Sequence, residues 1–146
     1  MKRLFIYIIG VTMALTGCDL EHSENGKLDG LWQLRTVDTL ATGGTADMRS
    51  SQRVWGVQGT FIQMRLVTSG EFTDNIVCRF SHEGSTLQLT NPYIVNRDEG
   101  DVRVNDVKLL QPFGMSHLEE TFKVLELSDA RLTLESDLLR LHFRRY

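Results

Sequence analysis

From Leu31 to the carboxyl terminus, apolar residues recur at every second position in short runs, and Gly, Asn, Asp and Pro punctuate them. Side chains of a strand alternate between two faces, so this period predicts strands buried on one side. Over Leu31–Asp38, Trp32, Leu34 and Thr36 share one face, with Gln33 and Arg35 on the other. Further on, Trp55 and Val57 take odd positions, whereas Ile62, Met64 and Leu66 take even ones. A change of parity needs a bulge or a turn. It places a tight bend at Gly59-Thr60 and leaves Phe61 outside the core. Ile76, Cys78 and Phe80 line the next strand, Asn75 to His82. Glu83-Gly84 turns it, and Leu87 and Leu89 complete a hairpin. Asn91-Pro92 reads as the end of that strand. Asn96 to Asp101 is acidic and turn-like, and Val102, Val104 and Val107 mark another strand. Lys108 to Glu120 is ambiguous: Pro112 and Gly114 favour a loop, while Leu118, Phe122 and Leu125 also fit helical spacing. A strand over Thr121–Ser128, the turns Ser128-Asp129-Ala130 and Ser136-Asp137, and the faces Leu132/Leu134 and Leu139/Leu141/Phe143/Arg145 complete a meander. Many short strands with brief connections mean an all-β sandwich or barrel. About eight strands fit the available length, and closure into an antiparallel up-and-down barrel removes exposed edges.

The amino terminus carries an address. Lys2 and Arg3 precede an apolar run from Leu4 to Leu15. That run is shorter than the roughly 20 residues of a membrane-spanning helix and suits a secretory signal. It ends Leu15-Thr16-Gly17-Cys18, which resembles the lipobox of bacterial lipoproteins; a buried helix with a chance cysteine is the alternative. The resemblance implies a signal peptide over 1–17, lipid on Cys18, a flexible tether over 18–29 and a domain over 30–146. The expected location is the bacterial cell envelope, with the outer membrane favoured and the leaflet left open. Removing Lys2 and Arg3 from the 16 basic residues leaves 14 against 19 acidic, a net charge of −5. That balance gives no support to nucleic-acid binding, which rests on basic patches. With Cys18 lipidated, Cys78 has no partner for a disulfide and reads as a small buried residue.

Gly30-Leu31-Trp32 heads the first strand, and Arg144 and Arg145 close the last. A Gly-x-Trp in that place resembles the lipocalins and the wider lipocalin-like barrels. The resemblance covers Gly30 to Tyr146. It implies a calycin-type barrel in which Trp32 plugs the closed end and an Arg of the last strand lies across its ring. Parity favours Arg145, which falls on the face of Phe143. It also implies that the loop Thr39–Ser51, with Gly43-Gly44, is a lid over the open end; a surface loop is the plainer reading. The chain is shorter than the larger lipocalins and shows no helix after the last strand, so a barrel filled by its own side chains is as compatible as a cavity.

Catalytic signatures are missing. Gly114-Met115-Ser116-His117 begins like a nucleophile elbow, but Leu118 stands where Gly is required. His22, His82, His117 and His142 are isolated in sequence. Asp98, Glu99, Asp101 and Asp106 match no calcium loop and read as a solvated acidic stretch. No enzyme activity, cofactor or metal is expected. The favoured function is binding of a small hydrophobic or amphipathic molecule by a barrel anchored to a membrane through Cys18. Trp55, Ile62, Met64, Phe80 and Leu141 are its candidate lining, and equally candidates for a filled core. The alternative is a filled barrel that docks onto an envelope protein partner.

Overall fold

The computed structural model describes residues 24–146. Segment 1–17, Cys18 and the tether as far as residue 23 lie outside the described residues. Ten strands follow: β1 (Gly30–Thr39), β2 (Thr45–Asp47), β3 (Arg53–Gln58), β4 (Phe61–Thr68), β5 (Glu71–Glu83), β6 (Thr86–Ile94), β7 (Val102–Arg103), β8 (Glu120–Leu127), β9 (Arg131–Glu135) and β10 (Leu139–Arg145). All but β2 and β7 form one antiparallel circuit of eight, because β10 returns to pair with β1 from Trp32 opposite Arg145 to Thr39 opposite Leu139. The alternating pattern thus produces the closed barrel it predicts. The parity change in residues 55–66 is a tight turn at Gly59-Thr60 between β3 and β4.

Inward positions fill the barrel. Trp32, Leu34, Ile62, Met64, Cys78, Leu87, Leu89, Phe122, Leu134 and Leu141 are each 0% exposed. Trp55 sits among them, its ring 4.9 Å from that of Phe143 and 5.9 Å from that of Phe122. Phe61 lies outside this core, with the Arg79 guanidinium 5.0 Å from its ring.

Bulges account for the departures from simple alternation. The pairing of β1 with β10 slips between Leu34 and Thr36, which moves Val37, not Thr36, onto the core. Asn91-Pro92 does not end β6, contrary to expectation. Both residues stand opposite Cys78 in a bulge, and Asn91 takes a positive φ of 49°. A bulge is one of the few sheet positions that tolerates a proline.

Two readings of loops that the sequence left open are narrowed. Thr39–Ser51 forms no lid: its β2 folds back and pairs with the far half of β1, opposite Thr36, Val37 and Asp38. Lys108–Glu120 contains no α-helix. It carries single helical turns at Val107–Leu109 and Gln111–Phe113 and buries Leu110, Phe113 and Met115. The expected strand over Val102–Val107 shrinks to the two residues of β7, paired on β6 outside the circuit.

Candidate functional site

The barrel has two unlike ends. At one, the chain enters at Gly30 and leaves at Arg145. Leu28 tucks its carbonyl under Trp32, whose indole N–H donates to it at 2.8 Å. The Arg145 guanidinium lies 4.3 Å from the Trp32 ring centroid. Its three nitrogens donate to the carbonyls of Asp29 at 2.8 Å, Lys27 at 2.7 Å and Asp129 at 2.6 Å. Gly30 holds φ at +127°, and a Cβ there would collide with Arg145 Nη1. Gly30, Trp32 and Arg145 therefore form one unit: the glycine leaves room for the guanidinium, which stacks on the ring and ties the Lys27–Asp29 turn to the Asp129 turn.

The opposite end is the mouth. There the segment 104–119 crosses the barrel, and Trp55 donates its indole N–H to the Phe113 carbonyl at 3.1 Å. Gly114 adopts φ +94°, and an added Cβ would come within 2.7 Å of Leu141. This close seating lets the segment plug the interior.

Between the plug and strands β3, β5 and β6 a pocket of about 220 Å3 remains. Ile76, Ile94, Leu109, Pro112 and Phe113 give it apolar walls, and Arg53, Asn75 and Lys108 its polar groups. The Arg53 guanidinium lies 5.6 Å from the Phe113 ring. Its Nε and the Asn75 Oδ1 are buried without a hydrogen-bond partner. Such groups are costly unless something satisfies them. Among the described residues that line it there is no acid, and Arg53 and Lys108 bring positive charge. Leu40, Leu109 and Leu138 are exposed on the same end, the first and last joined by a hydrogen bond from the Leu40 amide to the Leu138 carbonyl.

The candidate lining residues occupy a different place. Trp55, Ile62, Met64 and Leu141 are core residues and Phe80 packs against that core; none of the five borders this pocket. Arg53 and Asn75 were not singled out from sequence. Arg53 shares odd parity with Trp55 and Val57, so a cation on an apolar face was visible there. Asn75 had no such signal, because β5 bulges against Arg65 and resets the parity.

A second depression lies on the outer wall. Leu31, Gly56, Gln63, Val77 and Tyr93 stand in one outward row across β1, β3, β4, β5 and β6, and the open groove along them measures about 1210 Å3. Cys78 is inert by contrast, its thiol pushed up to about 12 by burial. The acids of the Asn96–Asp106 stretch are exposed, and the Asn96 side chain accepts the amides of Asp98 and Glu99 at 3.0 and 3.1 Å.

A family model described as a lipocalin-like domain matches residues 13–146. The fold is similar to that of a lipocalin-like protein from Bacteroides uniformis ATCC 8492, at 24% identity and a TM-score of 0.62, over 83% of this chain and 100% of that one. It is also similar to an uncharacterized protein from Bacteroides eggerthii DSM 20697, at 19% identity and a TM-score of 0.58, over 81% and 98% of the two chains. No match is found among curated proteins.

Proposed function

Because the chain belongs to the lipocalin-like domain family, whose fold is compatible with carrying a small apolar molecule, we propose that it binds a short amphipathic acid at the barrel mouth. One observation carries this reading. Two buried polar atoms without a partner, Arg53 Nε and Asn75 Oδ1, belong to residues that line a pocket with apolar walls. Arg53 needs an acceptor and Asn75 a donor, and a carboxylate bearing a nearby hydroxyl or amide N–H supplies both. The volume of about 220 Å3 is below that of sites for drug-sized ligands and suits a short chain. The reading is of a binding protein, not an enzyme.

The same proposal includes the address. The basic start, apolar run and Leu15-Thr16-Gly17-Cys18 support a lipid anchor in the bacterial envelope, with the outer membrane favoured. The apolar rim of Leu40, Leu109 and Leu138 suits ligands that partition into such a surface. Mass spectrometry of an organic extract of the purified protein, and calorimetry with hydroxyhexanoate, test the binding. An empty extract and no heat of binding would defeat it. Fractionation of cells carrying Cys18→Ser tests the anchor: the variant is expected in the soluble fraction, and retention in the membrane contradicts the lipid.

The outer groove favours a second reading, docking onto an envelope protein. Its row of Leu31, Val77 and Tyr93 is flanked by Arg65 and Asp101. Crosslinking in intact cells from a substituted Gln63 recovers a partner on this reading.

A further inference from the structure

Outside the mouth pocket, the segment before β8 and the turn between β9 and β10 bring three metal-ligating residue types together. One imidazole nitrogen of His117 and one carboxylate oxygen each of Glu120 and Asp137 lie within 4.8 Å of one another. We propose that these three side chains bind a divalent transition-metal ion of the Zn2+ class.

The spacing suits such an ion. His117 Nε2 and Asp137 Oδ2 are 3.4 Å apart. Ligand atoms at about 2.0–2.2 Å from a tetrahedral ion stand roughly 3.3 Å from each other. One imidazole with two carboxylates is a mixed donor set that accepts Zn2+ and its first-row neighbours, and leaves a fourth position for water.

Glu120 supplies the independent observation. It heads β8 with the inward parity of Phe122 and is only 4% exposed. Its Oε2 accepts the amide of Ser116 at 2.7 Å and that of His117 at 3.5 Å. Its Oε1 is buried with no hydrogen-bond partner. The Ser136 hydroxyl lies beside this carboxylate and is also 3.4 Å from the Leu139 carbonyl. A carboxylate fixed on one oxygen and unsatisfied on the other lacks a positive partner. Burial accordingly holds the Glu120 carboxyl above its usual range, against the opposing pull of the Ser116 and His117 amides, the Ser136 hydroxyl and the His117 ring. A bound cation reverses that balance. His117 takes part twice: its amide orients Glu120, and its ring meets Asp137.

The geometry also assigns which ligands can be removed safely. His117 and Asp137 have side chains 53% and 64% exposed, so their loss leaves the core intact. Glu120 is buried and its substitution risks the fold.

The test is calorimetric titration of the full chain carrying Cys18→Ser with ZnCl2 near neutral pH. One ion per chain is expected. His117→Ala and Asp137→Asn should each weaken uptake by about tenfold or more, while His142→Ala, which removes the histidine that meets Asp38 of β1 at 2.7 Å, leaves it unchanged. A rise in the melting temperature with Zn2+, absent in His117→Ala, supports the same site. Absence of saturable uptake overturns the proposal, as does uptake by His117→Ala and Asp137→Asn equal to that of the parent chain.

Discussion

The closed end and the mouth of this barrel are built from the same strands by opposite rules. At the closed end, the Trp32 indole and all three Arg145 nitrogens have backbone partners. At the mouth stand the buried side-chain atoms without partners among the described residues: Arg53 Nε, Asn75 Oδ1 and Glu120 Oε1. A satisfied polar network adds rigidity, whereas an unsatisfied one stores a cost that a ligand can relieve. The contrast separates the half that holds the fold from the half available for binding.

Substitutions at the two ends should therefore act in different currencies. The largest effect is expected for Trp32→Ala, which removes a fully buried ring and its hydrogen bond; a loss of about 4 kcal/mol in urea unfolding is expected. Arg145→Ala should follow at about 2 kcal/mol, from the cation–π contact and the charged hydrogen bonds. Arg145→Lys should recover little, since an ammonium cannot reproduce the planar fork. If either variant is as stable as the parent, the closed end does not hold the fold.

Asn75→Leu and Arg53→Leu take the contrast to the mouth. Each removes an unpartnered buried atom, so stability should change by less than about 1 kcal/mol or rise slightly. Affinity for hydroxyhexanoate should nonetheless fall about tenfold or more. A stability loss as large as that of Arg145→Ala would erase the difference between the ends.

The smallest effect concerns pH. The Glu120 carboxyl is raised by burial, so its folded pKa exceeds its unfolded one. Its contribution to stability is full below the unfolded pKa and is lost as pH rises through the folded pKa. Unfolding curves across that window should slope downward for the metal-free parent chain, and the slope should shrink in Glu120→Gln.

The two ends also differed in how far they could be read from sequence. The closed end was legible because its parts are local or terminal: Gly30 and Trp32 lie two residues apart, and Arg145 inherits the parity of Phe143. The closed eight-strand circuit followed from the same alternation. The mouth was less legible, because it depends on contacts that no short window contains. Bulges at Arg35, at Asn91-Pro92 and in β5 beside Asn75 reset the parity on which sequence reading relies. The plug is irregular backbone, buried by tertiary contacts and not by any period of its own. His117 and Asp137 are 20 residues apart and meet only because the β9–β10 turn returns to the plug. Arg53 and Glu120 did leave a trace, as charged residues on inward parity at the first positions of β3 and β8.

Trp32 and Trp55 pair across β1 and β3, but their indole N–H groups donate to different segments, and that gives the most direct test of ligand binding at the mouth. The Trp55 indole N–H donates to Phe113, a wall of the pocket, while that of Trp32 donates to Leu28 at the far end. In a nitrogen-15 correlation spectrum of the chain carrying Cys18→Ser, titration with hydroxyhexanoate should shift the Trp55 indole resonance to saturation and leave that of Trp32 in place. Arg53→Leu should abolish the shift. A titration that moves neither indole, or moves Trp32 and spares Trp55, would contradict a ligand site at the mouth.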